Sequence, residues 1–213
     1  MMELALHILD ALQNSVEASA TWIRLTIEEN RATNLLRIRI EDNGRGMSPE
    51  TVRRVIDPFV TSRRTRHVGL GLPLFAEAAK QAGGSFLIES ARGRGTSVTA
   101  SFRHDHIDRA PLGDVAGAIV AVLLAPKPVE IFFEHRSEDR MFRFDSGQAR
   151  AVLGDVHLSE PRVAAWVLAH LRDGEADLQA DGGVPDPGPE KAAAGSWNAA
   201  AASLRQEYER CPD

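Results

Sequence analysis

A single cysteine in 213 residues, Cys211, excludes a framework of structural disulfides within the chain. No apolar run approaches the roughly 20 residues that a membrane-spanning helix needs. The longest, residues 115 to 125, reads as a buried helix. A basic start followed by a small-residue cleavage site is missing, so no secretory signal is read. With the lone cysteine this predicts a cytoplasmic location, and no membrane is expected as a partner. Positive charge is not in excess either. The net charge is −5, so no nucleic acid is expected as a partner. What the chain does have is 43% hydrophobic residues, enough for one globular domain and a smaller appendage.

Residues 3 to 18 put Leu4, Ala5, Ile8, Leu9, Leu12 and Val16 on one helical arc and Asp10, Asn14 and Glu17 on the other. That is an amphipathic helix. Ile23, Leu25 and Ile27 alternate with polar residues, and Leu36, Ile38 and Ile40 repeat the pattern after a polar break, which predicts an antiparallel hairpin. Ser48-Pro49 opens a short helix to about residue 56, and residues 57 to 68 are polar, basic and irregular. A helix over about 72 to 82 ends at Gly83-Gly84, and strands follow near 85 to 89 and 97 to 103. This order predicts a two-layer α/β sandwich over residues 1 to 110. Residues 111 to 172 carry their own apolar content, with a helix over 112 to 124, strands over 129 to 134 and 141 to 144, and helices over 148 to 153 and 160 to 171. They predict a small α+β C-terminal lobe, either separate or packed onto the first unit. From 173 to 213, Asp, Gly and Pro and then an alanine-rich end predict a flexible linker and tail.

Asp10 and Asn14 are one turn apart on the polar face of the first helix. A carboxamide oxygen can ligate magnesium, and a carboxylate beside it can orient or deprotonate a water. Alone, such a pair also describes a solvated helix face. Asp42-Asn43-Gly44-Arg45-Gly46-Met47 follows directly on a strand. Two glycines in a tight bend let the backbone approach a flat ligand, and the carboxylate can accept from an exocyclic amine such as adenine's. Next come Asp57-Pro58-Phe59-Val60-Thr61-Ser62, the basic stretch with Arg63, Arg64 and Arg66, and Val68-Gly69-Leu70-Gly71-Leu72 running into a helix. Glycines at a helix N-terminus present backbone N–H groups to an anion such as phosphate. Finally Gly93-Arg94-Gly95-Thr96 opens a strand with a hydroxyl.

Taken in order over residues 3 to 103, these motifs resemble the four boxes of the GHKL ATP-binding domain, shared by gyrase B subunits, mismatch-repair ATPases, heat-shock chaperones and sensor histidine kinases. The resemblance implies the Bergerat-type fold with ATP and Mg2+ as cofactors. It makes Asn14 the magnesium ligand, Asp42 the adenine-reading carboxylate, and Gly44 and Gly46 the shapers of the base pocket. Phe59 and Thr61 would belong to the phenylalanine box, Gly69 and Gly71 to the glycine box beside the phosphates, and Thr96 would support the base through its hydroxyl. Residues 60 to 68 would be the ATP lid, with Arg63 and Arg64 as phosphate-side cations. Neither a Walker GxxxxGK[ST] sequence nor a complete dinucleotide fingerprint occurs, so ATP in this other kind of site fits better than NAD.

Sensor kinases of this superfamily carry a phosphoacceptor hairpin before the asparagine box, which here begins at the N-terminus, so a stand-alone domain is expected. DNA-linked members place a glutamate base four residues before the asparagine; this sequence has the shorter Asp10, which predicts slow hydrolysis. Ser15-Val16-Glu17-Ala18 is similar to mismatch-repair ATPases, and Gly69-Leu70-Gly71-Leu72 to sensor kinases. Three functions are open: an ATPase that regulates an unknown protein partner through lid closure, a protein kinase acting in trans, and a non-catalytic ATP sensor. His104, His106 and Asp108 have a spacing compatible with a metal but read as polar residues at a junction. His7 reads as a pocket-rim or surface residue, and His170 and Cys211 are assigned no chemistry.

Overall fold

The computed structural model describes residues 3–56, 71–154, 156–158 and 160–179. Its elements are α1 (Leu4–Glu17), β1 (Trp22–Asn30), β2 (Leu35–Asp42), α2 (Pro49–Ile56), α3 (Gly71–Gln81), β3 (Ser85–Ala91), β4 (Gly95–Arg103), α4 (Val115–Leu123), β5 (Glu130–Ser137), β6 (Arg140–Asp145), α5 (Ser146–Leu153) and α6 (Pro161–Gln179). The strands form one six-stranded sheet in the order β3-β4-β2-β1-β5-β6, an α/β sandwich as the element order predicts.

Register follows from alternation. Ile23, Leu25 and Ile27 are fully buried, and β2 sets Ile40 opposite Leu25 and Ile38 opposite Ile27, so one face of the hairpin is apolar throughout. β4 continues it with Val98 and Ala100. The helices lie on this face: α1 packs on α3 and α4, and α3 on β3 and β4. Ser48 caps α2 by accepting from the Thr51 N–H at 3.3 Å.

Residues after 111 join the same frame. β5 runs parallel to β1, with Ile131 opposite Ile23 and Phe133 opposite Leu25, and β6 closes the edge antiparallel. Parallel neighbours need a long crossover, and the segment between β1 and β5 in the chain supplies it. Asp145 caps α5, accepting from the Gly147 and Gln148 N–H groups at 2.8 and 3.2 Å. α6 runs to Gln179, beyond the end expected at residue 171, because Glu175 and Leu178 both find buried partners. Residues 180 to 213 lie outside the described residues.

Candidate functional site

α1 turns Leu4, Ile8, Ala11, Leu12 and Ser15 into the core and leaves Asp10 and Asn14 on its outer side. Ser15, with His7, is one of two polar members of that buried face. Its hydroxyl donates to Oδ2 of Asp42 at 2.8 Å, while Oδ1 of Asp42 accepts from the Gly44 N–H at 2.8 Å. Asp42 ends β2 opposite Thr96 of β4 and is only 8% exposed, so its carboxylate is fixed in a buried position by two donors.

Past Asp42 the chain turns sharply and is fastened on both sides. Asn43 accepts from the backbone N–H groups of Thr21 and Trp22 at 2.8 and 3.1 Å, and the Arg45 N–H donates to the Ala18 carbonyl at 2.9 Å. Gly46 has φ +63°, and a Cβ there would lie 1.9 Å from the Ala91 carbonyl oxygen, so only glycine fits. On the far side Ser90 accepts from the Met47 N–H at 2.8 Å and sits 3.0 Å from the Thr96 hydroxyl.

These elements enclose a cavity of about 370 Å³ lined on one side by Ala11, Asn14 and Ser15 and on the other by Asp42, Gly46 and Thr96. Met47, Leu72 and Val98 add apolar walls, and Arg45 and Arg92 stand among its lining residues. Apolar walls around one fixed carboxylate suit a flat heterocycle with an amino group. Asn14 makes no side-chain hydrogen bond among the described residues, so its carboxamide oxygen is available to a ligand. Gly71 begins α3 against α1: a Cβ on it would come within 2.8 Å of Oδ2 of Asp10. The exposed Asp10 carboxylate therefore lies beside the N-terminal end of an 11-residue helix.

The structure thus brings Asn14, Asp42, Gly46 and Thr96 around one cavity, buries Gly44 against Ala18, and sets Asp10 against Gly71. Phe59, Thr61, Arg63, Arg64 and Gly69, and the expected lid at 60 to 68, lie outside the described residues. Sequence alone assigns no role to Ser15 or Ser90. Ser15 carried a signal, because a hydroxyl on the apolar arc of α1 requires a buried partner. His7 is corrected: it is 3% exposed and stacks on Phe75 at 5.2 Å, since its position on α1 faces α3. Burial pushes its pKa below the ordinary value, against the opposing pull of Asp10. His104, His106 and Asp108 do not converge as a trio: His104 bonds Glu29 at 2.8 Å, while the Asp108 N–H donates to Nδ1 of His106 at 3.2 Å, and no cluster of three or more His, Cys, Asp or Glu placed to hold a metal occurs among the described residues. A larger cavity of about 630 Å³ is lined by residues such as Arg37, Arg39 and Arg143. These three pair with Glu28, Glu41 and Glu134, and among the described residues none of the sequence-predicted site residues lines it.

Comparison with known proteins bears on the same residues. The family of histidine kinase-, DNA gyrase B- and HSP90-like ATPases matches residues 2–106. A sensor protein of Shewanella frigidimarina is 33% identical over 97 residues, 45% of this chain and 15% of that protein. Sporulation kinase D of Bacillus subtilis is 37% identical over 92 residues, 43% of this chain and 18% of that protein. The match therefore spans less than a fifth of either relative. Among solved structures, the Aquifex aeolicus MutL ATPase domain complexed with ADP is a loose likeness, with a TM-score of 0.42 and 17% identity over 76% of this chain and 67% of that chain. No helix among the described residues is long and apolar enough to cross a membrane. With the four boxes in order and the matched segment ending just past β4, residues 2–106 belong to the histidine kinase-, gyrase B- and HSP90-like ATPases and constitute a GHKL ATP-binding domain.

Proposed function

We propose that the chain binds ATP with magnesium in the cavity between α1 and the β2–β4 end of the sheet, and hydrolyses it slowly with Asp10 as general base. The observation that carries this reading is the buried Asp42 carboxylate, held by Ser15 and Gly44 on the wall of the cavity. Each carboxylate oxygen has two acceptor sites, so both keep capacity for adenine's exocyclic amine. Gly44 and Gly46 let the backbone approach the base, and Thr96 stands beside Asp42 on the same wall, across from Ala11 and Asn14. Asn14 supplies the hard oxygen donor that magnesium prefers, which suits an ion held by few protein ligands. Magnesium, when bound, neutralises phosphate charge.

Asp10 stands beside the first turn of α3, whose N–H groups favour a phosphate. From there it orients the attacking water and takes its proton. Aspartate is one methylene shorter than the glutamate used by DNA-linked relatives, and misplacement by about 1 Å can cost roughly a hundredfold in rate. Slow turnover is the consequence. The nucleotide state then regulates a protein partner. Similarity to sporulation kinase D supports a second reading, transfer of the terminal phosphate to a partner's side chain.

Millimolar ATP with magnesium should raise the melting temperature, because a ligand bound only by the native state adds about 2.7 kcal/mol at a hundredfold excess over Kd. Asp42→Asn, which turns a donor toward the adenine amine, should abolish the rise; an unchanged wild-type melting temperature would count against ATP altogether. Labelled ATP separates the remaining readings. Free phosphate supports the ATPase, label on a co-purified protein supports the kinase, and retained ATP leaves a sensor.

A further inference from the structure

Four titratable side chains form a continuous chain across the joint between the family-matched residues and the C-terminal segment. Glu29 of β1 holds His104 through Oε2 at 2.8 Å and His135 of β5 through Oε1 at 3.1 Å. The other ring nitrogen of His135, Nδ1, meets Oε1 of Glu175 on α6 at 2.7 Å. His135 is 1% exposed, so water does not mediate for it. A neutral imidazole has one donor and one acceptor nitrogen. With a carboxylate against each nitrogen, only the imidazolium satisfies both contacts, and the neutral ring would set a lone pair against a carboxylate oxygen.

The surroundings offer no substitute charge. Arg136, next along β5, is bound to Glu134 at 2.7 Å. β6 places Phe142 opposite His135, and α4 contains no titratable residue. On α6 the nearby titratable groups are His170, which stacks on Trp166 at 6.0 Å, and Asp173. Arg140 of β6 reaches α6 at the Asp177 backbone carbonyl, at 2.9 Å.

The two halves of α6 are held differently. Its first part buries Val163, Val167 and Leu171, whereas beyond Leu171 only Leu178 is a buried apolar residue. Docking of the last two turns therefore rests on Leu178, on Gly174 against Phe142, on the Arg140 bond to the Asp177 carbonyl and on Glu175, whose carboxylate reaches the buried His135. We propose that Glu29, His135 and Glu175 form a proton-dependent clasp that fastens the C-terminal half of α6 to the sheet, closed while His135 is an imidazolium and open when it is neutral.

Burial by itself disfavours the charged ring of His135, but the two carboxylates outweigh it and raise the pKa to about 9. The hydrogen bond from His135 is in turn the largest cause lowering Glu29 to about 2. The clasp is thus closed across neutral pH and opens on the alkaline side. The device is independent of nucleotide and goes beyond the ATP reading.

Hydrogen exchange on the full chain tests it, read by mass spectrometry and corrected for base catalysis. Amides 172 to 179 should keep constant protection from pH 6 to 8 and exchange at least about tenfold faster above pH 9.5, while β1 stays protected. Glu175→Gln should show that faster exchange already at pH 7. Proton NMR of the wild-type His135 ring gives a second readout that needs no variant, with a midpoint expected near 9. A midpoint at the ordinary histidine value would overturn the clasp. So would α6 protection that is unchanged through the midpoint, or unchanged in Glu175→Gln.

Discussion

Ser15 and Asp10 show how differently two residues of one helix can be read. Asp10 stands out in the sequence because it is a carboxylate one turn from an asparagine on a polar face. Ser15 hides among apolar neighbours, and its partner Asp42 is 27 residues away. Ser15→Ala should leave Asp42 Oδ2 without its donor and the carboxylate held by the Gly44 N–H alone. At a cost of about 1–3 kcal/mol, ATP affinity should fall roughly tenfold or more by calorimetry, with the apo melting temperature changed far less than the ATP-dependent rise. Unchanged affinity would make Ser15 a packing residue only. Asp10→Asn keeps size and polarity but cannot accept a proton, so turnover should drop about 10²–10⁴-fold with affinity nearly constant. Equal turnover in the variant and wild type would remove Asp10 from the mechanism. Asp42 itself was legible, because Gly44 and Gly46 beside it mark a bend that only glycines can make.

At the scale of elements, alternation and amphipathic spacing located the strands and helices of the first hundred residues, since one buried face imposes a period on the sequence. α6 is the instructive exception. Asp173-Gly174 reads as the start of a linker because both residues are poor helix formers. In the structure a Cβ at position 174 would come within 2.1 Å of the Phe142 ring, so close packing on β6 requires glycine in mid-helix. Tertiary contact thus overrides local propensity. A chain ended after Arg172 loses Glu175 and Leu178 and leaves His135 with Glu29 alone. Breaking one side of a buried ion pair costs about 3–5 kcal/mol, so its melting temperature should lie roughly 10 °C below that of a chain ended at Gln179. Equal melting of the two would show that the last turns of α6 contribute nothing.

For the whole molecule, three shifted histidines shape the dependence of stability on pH around neutrality, while Glu29, lowered to about 2, adds to the loss in acid. The pKa of His135 is raised from 6.5 to about 9, so its contribution is complete below about 6.5 and is lost as pH rises through 9. His7 and His170 are shifted the other way, chiefly by burial, and their contribution is present above the ordinary value and lost as pH falls through their lowered values. The folded state should therefore be most stable near pH 6.5 in urea unfolding, declining on both sides. His135→Gln should flatten the alkaline limb alone, and an alkaline limb that survives in this variant would assign it to another group. The sequence by itself determined the resemblance of residues 3 to 103 to the GHKL ATP-binding domain, with Asp42 and Asn14 as the candidate ligands that the resemblance implies, and the hairpin at the centre of the sheet, because each motif and each alternation is written within a few residues. Only the tertiary structure decided that β5 lies parallel to β1, that Ser15 holds Asp42, and that Glu29, His135 and Glu175 meet. Those contacts join residues far apart in the chain, and local periodicity carries no record of which distant partner a buried polar group will find.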